Sequence, residues 1–411
     1  MKVAVVAEFY PRAADPVLGI WAHRQAIAAR DAGAEVRVLV LHRPVPPRAA
    51  LRDGPRATAR AAATMLAQPP AATLDGIEVA YVPFLAPPRS ASYGSWGRWA
   101  APSLAVALRA LRRRFAFDLV HAHNAVPAGE AVRRADVGTP LVVSVHGGDV
   151  FHTEPGSAAG AEAVRAALGR ATLVLANSAG IEHRCRVLGA PATRIVRLGT
   201  DLPAQRAQPY EHPTVVTTGH VIARKRHADV LRAVALLRDR HSQLRYLVIG
   251  DGPELEALRA LAAELGVADR VELAGQLPHG EALERTRRAS LLAMPSTDEA
   301  FGVAYVEAMA GWLPAIGATG EPGPAEIRAM GGGLSLVAPG DVGELAREID
   351  ALLSDARTLR MAGDWARATV VRAFTWERCG AATVAAYEHA LTAPPPRAAP
   401  ARPSETPGAA P

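Results

Sequence analysis

Short apolar runs alternate with helix-period segments along almost the whole chain, and this alternation constrains the fold more than any single residue. Parallel strands covered on both faces read as continuous apolar runs, and each return to the same sheet takes a crossover, usually a helix. The runs fall into two series. The first predicts strands at Lys2–Phe9, Glu35–His42, Ile77–Phe84, Leu119–His123, Leu141–Val145 and Leu173–Ala176, with a helix at Ala22–Ala32 stopped by Gly33. A Pro-containing linker over Pro203–Pro213 follows. The second series predicts strands at Thr214–Thr218, Leu244–Ile249, Arg270–Ala274, Leu291–Met294, Leu313–Ile316 and Leu334–Val337. Its helices are predicted at Ala228–Arg240, Glu254–Leu265, Glu281–Arg288, Val303–Ala310 and Val342–Leu353. The expected fold class is α/β, with two doubly wound domains over 1–205 and 213–375. Ligands of such sheets bind beyond the carboxyl ends of the strands, so the cleft between the domains is the expected site.

Composition narrows the function classes. With 411 residues, 49% hydrophobic and 21% charged, each half can bury its own core. Two distant cysteines, Cys185 and Cys379, exclude a disulfide scaffold and point to a reduced, cytoplasmic setting. No apolar run is long enough to span a bilayer, and Met1–Ala7 reads as a first strand rather than a leader. The net charge of +6 rests largely on arginines in an Ala/Arg/Pro-rich chain, so no nucleic-acid partner is expected. Residues 43–75 carry seven prolines or glycines and are expected to form a mobile excursion; residues 393–411, with seven prolines, are expected to be a disordered tail.

The segment Pro295–Ala310 carries the most chemistry. It leaves an apolar strand and opens a helix, with Glu299 in the loop, Phe301-Gly302 at the helix start and Glu307 eight positions after Glu299. A helix start favours an anion, and carboxylates accept hydrogen bonds from sugar hydroxyls. A lone glutamate here would more often complement the helix dipole or lie on a solvated face. The pair flanking Phe-Gly lowers the weight of that reading.

Glu-Ala-Phe-Gly, the two glutamates with seven residues between them and the trailing Glu-Ala-Met-Ala-Gly resemble family-4 retaining glycosyltransferases of the GT-B fold. Gly250-Asp251-Gly252-Pro253-Glu254, Arg270–Gly275 and Phe9-Tyr10-Pro11 followed by Gly19 match that family too. Pro16–Ile20 and Gly320–Pro324 bring the chain nearest to members that build cell-envelope polysaccharides, such as teichuronic acid synthesis transferases. The resemblance implies two Rossmann-like domains, acceptor-side first and donor-side second, with the last helix, near 376–391, returning to the first domain. It implies that Lys225 neutralises the diphosphate, Glu299 binds the donor sugar, Phe301 and Gly302 offer backbone N–H groups, and Glu307 holds the ribose. His146, in Ser144–Asp149, would reach the donor sugar across the cleft, and Leu277 would face the base. Many relatives have an arginine where His220 stands; Arg224 is the other candidate for that second cation. Arg224-Lys225-Arg226 read without the resemblance is a solvated basic loop, and Gly250–Pro253 is a tight turn between strand and helix.

Gly19 is expected to allow close approach of phosphate or acceptor. Arg12 and Arg24 are surface residues on the simplest reading, with an anionic acceptor as the alternative. Asp149 orients its loop or meets the acceptor. His121 and His123 are expected to face opposite sides of their strand. Leu104–Phe115 is either a helix packed on the sheet or a basic amphipathic helix on a membrane surface.

The implied enzyme moves a sugar from a nucleoside diphosphate donor, uridine or guanosine, to an acceptor hydroxyl with retention. The expected route is a front-face, oxocarbenium-like one in which the departing diphosphate accepts the proton. No metal or other cofactor is expected. The expected partners are the nucleotide sugar and a saccharide or lipid-linked acceptor, and the expected place is the cytoplasm, with peripheral contact at the inner membrane face. The alternatives are a GT-B epimerase or phosphorylase, and a noncatalytic nucleotide-sugar-binding scaffold.

Overall fold

In a computed structural model, which describes residues 1–46 and 48–394, the chain forms two parallel sheets with helices on both faces. The first comprises β1 (Lys2–Ala7), β2 (Glu35–His42), β3 (Ala71–Leu74), β4 (Ile77–Pro83), β5 (Leu119–His123), β6 (Leu141–Val145), β7 (Leu173–Ala176) and β8 (Thr193–Ile195). Their order is β3-β4-β2-β1-β5-β6-β7-β8, with only the β3–β4 pair antiparallel. The second comprises β9 (Thr214–Thr218), β10 (Arg245–Ile249), β11 (Val271–Leu273), β12 (Leu291–Ala293), β13 (Ala315–Ala318) and β14 (Leu334–Val337), in the order β11-β10-β9-β12-β13-β14. Alternate side chains of one strand enter different cores: Val3 and Val5 face one, Ala4 and Val6 the other. That two-sided burial is why these strands read as unbroken apolar runs.

The strand order reverses between β1 and β5 in the first sheet and between β9 and β12 in the second. Loops leaving strands at such a point diverge and open a crevice. The loops after β9 and β12 carry Lys225 and Glu299; those after β1 and β6 carry Gly19 and His146.

Polar contacts join the halves beside that crevice. The Ser178 hydroxyl donates to the Ala300 carbonyl at 2.9 Å, buried. Glu326 accepts from the Ala179 amide at 2.9 Å and pairs with Arg197 at 2.5 Å. The last helix, Trp376–Thr392, returns to the first domain: Cys379, Ala386, Tyr387 and Ala390 join the core holding Val3 and Val5. Gly380 permits the approach, since a Cβ there would lie 2.2 Å from the Ala28 carbonyl oxygen.

Two sequence expectations need correction, and one pair of alternatives is resolved. Residues 43–75 hold regular structure: helices Arg48–Arg52 and Pro55–Leu66, then edge strand β3. The Ala/Arg composition favours helix, and Pro55 sits in the first turn, where it is tolerated. The apolar side of 104–115 faces inward. It belongs to a longer helix, Trp96–Arg114, whose Leu104, Leu108 and Leu111 are buried on the sheet, as the packed-helix alternative expects. What reaches solvent from that segment is Val106, Arg109, Ala110, Arg112, Arg113 and Arg114. His121 and His123 share one face, their ring centroids 4.5 Å apart, because residues two apart on a strand point the same way. Of the expected tail, residues from 395 onward lie outside the described residues. No helix among the described residues is long and apolar enough to cross a membrane.

Candidate active site

Residues of two adjacent loops meet at the switch point of the second sheet. Lys225 ends a short turn, Ala223–Lys225, after β9; its Nζ lies 2.5 Å from Glu299 Oε2. The Ser296 hydroxyl donates to the same oxygen at 2.8 Å, and the Glu299 amide donates to Glu321 at 2.7 Å. Burial pushes the Glu299 carboxyl up, but Lys225 and the Ser296 hydroxyl outweigh it and hold the group below its ordinary range. Arg224 Nη1 is 3.9 Å from this carboxylate, and the Arg224 carbonyl accepts from Thr297 at 2.8 Å. His220 is exposed. Of the two candidates for the second cation, Arg224 is the one set beside the acidic group.

Gly302 caps the helix Val303–Ala310 with φ +82°, a conformation that suits glycine. A Cβ there would fall 2.3 Å from the Tyr305 ring, which is pinned because its hydroxyl donates to the Met294 carbonyl. The Phe301 ring is buried edge-on against Phe374 at 5.7 Å, so this residue has its backbone to offer a ligand. The first amides of a helix have no acceptor in a preceding turn; here the Tyr305 amide is taken by the Gly302 carbonyl at 3.0 Å.

Further along that helix, Glu307 is largely buried, and burial pushes its carboxyl up to about 7 although Arg287 draws it down. His279 Nε2 stands 3.7 Å away. Arg287 was not singled out from sequence; its Nε is buried without a partner. Leu277 packs onto the core that contains Val216 and Ile249. The Gly250–Gly252 turn is structural: Cβ atoms there would lie 1.9 Å from the Gly219 oxygen and 2.2 Å from the Val221 oxygen.

Across the cleft, the loop after β6 brings Gly147 against Ala300; a Cβ on Gly147 would lie 2.4 Å from Ala300 Cβ. His146 stands edge-on to Trp21, centroids 6.1 Å apart. Asp149 orients its loop: its buried carboxylate accepts from the Ala125 and Val126 amides at 2.9 and 3.0 Å. Burial nonetheless pushes it up to about 6. Arg12 donates to the Glu8 and Leu41 carbonyls, and Arg24 pairs with Asp201. Both therefore serve internal contacts.

Gly19 has φ +63°, and a Cβ there would meet the Phe9 carbonyl at 2.2 Å. Gly19→Ala is expected to cost roughly 2–3 kcal/mol of stability, because backbone rather than a flexible side chain must move. Urea unfolding measures this, and a loss below about 0.5 kcal/mol would mean that the loop yields freely.

The arrangement is a basic and amide-lined helix start beside a paired carboxylate, with a second carboxyl, near His279 and Arg287, further along the same helix. It can hold a diphosphate and hydroxyls at once. The chain matches the family model "Glycosyltransferase Family 4" over residues 18–202 and "Glycosyl transferases group 1" over residues 200–369. It is 31% identical to a 2-deoxystreptamine glucosyltransferase of Streptomyces kanamyceticus over 292 residues, 62% of this chain and 73% of that protein. It is 35% identical to an exopolysaccharide phosphotransferase of Streptomyces coelicolor over 180 residues, but these are 43% of this chain and only 19% of that protein. Among solved structures, sucrose-phosphate synthase from Thermosynechococcus elongatus superposes with a TM-score of 0.75, at 20% identity over 94% of this chain and 98% of that one. The two matched regions meet between the two sheets, and the chain is a member of the group 1 glycosyltransferases, a GT-B enzyme family, with a family 4 domain as its first half.

Proposed function

We propose that this protein transfers a hexosyl group from a uridine or guanosine diphosphate sugar to an acceptor hydroxyl with retention, in the synthesis of a cell-envelope polysaccharide or glycolipid. The observation that carries the reading is the Lys225–Glu299 pair, 2.5 Å apart, at the start of the helix that also holds Glu307. Lys225 has three N–H donors. In this reading it shares them between Glu299 and the diphosphate, and its charge, with that of Arg224 and the helix start, stabilises the leaving group as negative charge develops. Glu299 accepts from donor-sugar hydroxyls, Glu307 from the ribose, and His146 reaches the sugar from the other domain. The departing diphosphate takes the acceptor's proton, and no metal is assigned a role.

A thermal-shift screen with UDP, GDP and ADP and their sugar conjugates tests the donor assignment. A nucleotide that binds only the folded chain raises its melting temperature, by about 2.7 kcal/mol of stabilisation at a hundred times Kd. One base is expected to stabilise the protein, and its sugar conjugate to be consumed on adding acceptor with the anomeric configuration kept, read by proton NMR of the product. Stabilisation without turnover across an acceptor panel would favour a binding scaffold instead. Turnover without a saccharide acceptor would favour an epimerase or phosphorylase.

A further inference from the structure

We propose that Arg89 binds an anionic group of the acceptor, a phosphate or carboxylate carried on the sugar or polyol that receives the hexose. The proposal rests on the reading above that the chain transfers a sugar to an acceptor hydroxyl.

β1 ends at Ala7, and Glu8 and Phe9 follow it where the strand order of the first sheet reverses. The Glu8 side chain is 8% exposed. Its Oε1 takes Arg89 Nη1 at 3.2 Å, and its Oε2 accepts from the Tyr93 hydroxyl at 2.7 Å. Arg89, in contrast, is 49% exposed. The pair hides its carboxylate and shows its cation. The guanidinium carbon of Arg89 lies 3.9 Å from the Tyr93 ring centroid and 4.9 Å from that of Phe9. Stacking and pairing fix the group before a ligand arrives, so little side-chain entropy is left to lose. Nη1 is its one hydrogen-bonded nitrogen among the described residues, and the remaining N–H groups suit an oxyanion.

Ring contacts lead from Arg89 to the donor side. Phe9 lies 6.2 Å from Trp21, and Trp21 6.1 Å from His146, centroid to centroid. Trp21 packs against a core of each domain, which sets it in the wall of the cleft. Phe9 and Trp21 are partly exposed, so the apolar face of a sugar ring can lie across them, its hydroxyl toward His146 and its anionic group toward Arg89. The local charges agree. Arg12, Arg43 and Arg89 follow β1, β2 and β4 at their carboxyl ends. Arg12 is committed to the Glu8 and Leu41 carbonyls and Arg43 to the Ala86 carbonyl, which leaves Arg89 to meet a ligand. The nearby Asp149 is committed to the Ala125 and Val126 amides. The field of the whole first domain favours the same ligand charge. Residues 1–205 hold 24 of the 46 lysines and arginines but 15 of the 40 acidic residues, a net +9, against −3 for the rest of the chain.

Binding to the full chain tests this without turnover. Saturation-transfer NMR uses glucose, galactose and mannose, each paired with its 6-phosphate, and glucuronate. Co-sedimentation uses phosphatidylcholine vesicles with and without phosphatidylinositol. An anionic probe, free or at the vesicle surface, is expected to bind at least about tenfold tighter than its neutral counterpart, and Arg89→Gln to bring the two within twofold. Preference among the free sugars alone supports the site with a soluble acceptor; preference for the phosphatidylinositol vesicles alone supports it with a lipid headgroup. No anion preference in wild type, or a preference kept in Arg89→Gln, overturns the proposal. Arg89→Gln leaves Glu8 buried without its cation, so the double variant with Glu8→Gln is measured beside it and is expected to show the same loss. Arg89→Lys keeps the charge without the planar fork and is expected to fall between. Turnover separates the proposal from the reading it rests on. In Arg89→Gln, KM for an anionic acceptor is expected to rise about 10–100-fold with kcat within threefold. A wild-type chain that consumes no nucleotide sugar with any acceptor loses the transferase reading, whereas the anion preference is read independently of turnover.

Discussion

Lys225→Ala is expected to lower kcat/KM for the cognate nucleotide sugar by about 10²–10³-fold, the usual effect of removing one preorganised charge or donor from a developing anion. Most of the loss should fall on kcat, because diphosphate charge grows as the sugar–oxygen bond breaks. The same change leaves Glu299 buried beside Ser296, with Arg224 at 3.9 Å as the nearest remaining cation. Its carboxyl, now below its ordinary range, then rises, and stability falls by roughly 2–4 kcal/mol. The two effects separate in Lys225→Ala combined with Glu299→Gln. Neutralising the stranded carboxylate should recover much of the stability and none of the turnover. Urea unfolding and initial rates on all three variants check this. Recovery of activity in the double variant would show that Lys225 acts only by neutralising Glu299. A Lys225→Ala enzyme within threefold of wild type would remove the lysine from the leaving-group site.

Glu307→Gln is expected to move stability and binding in opposite directions. Burial raises the Glu307 carboxyl from its ordinary 4.5 to about 7, so the fold favours the neutral form. The favourable contribution of that neutral form is complete below the unfolded value and disappears as pH rises through about 7. At pH 8 the ionised carboxyl opposes folding, and the neutral amide should stabilise the unliganded chain by up to about 2–3 kcal/mol. Loss of a charge near Arg287 trims that gain. At pH 4 the two proteins should unfold alike with respect to this group. Nucleotide affinity should fall about 10–100-fold in the variant, since hydrogen bonds to an ionised acceptor contribute about 1.5–3 kcal/mol. In wild type, the same affinity should weaken as pH falls below 7. Calorimetric titration against pH reads both. Equal nucleotide affinity in Glu307→Gln would place the ribose elsewhere, and a variant less stable than wild type at pH 8 would show that Arg287 needs the charge.

Much of this protein follows from local pattern. The two sheets were legible because strands covered on both faces must be apolar throughout, and several boundaries, such as Glu35–His42 and Val303–Ala310, agree residue for residue. The Glu299–Glu307 segment was legible for a related reason: a glycine that leaves a strand and opens a helix dictates its own backbone, so the amides and both carboxylates are placed within one stretch of chain. Regular structure in 43–75 was missed because prolines and glycine were weighed above helix-favouring alanine and arginine. β3 and β8 are edge strands with little apolar signal.

Tertiary structure decided which of these groups face each other. Lys225 meets Glu299, 74 positions away, because β9 and β12 are neighbours at the reversal of strand order. Arg287 comes near Glu307, and Glu321 takes the Glu299 amide, through helix and loop packing that spacing does not encode. His123 meets His146 because of the β5–β6 register. The fate of Leu104–Phe115 was settled in the same way: periodicity marked one apolar face, and only the sheet beneath it showed what that face covers. Hydrophobic period and helix-start chemistry are local properties carried by neighbouring residues. Charge pairing and burial depend on distances between segments, which exist only once the sheets have formed.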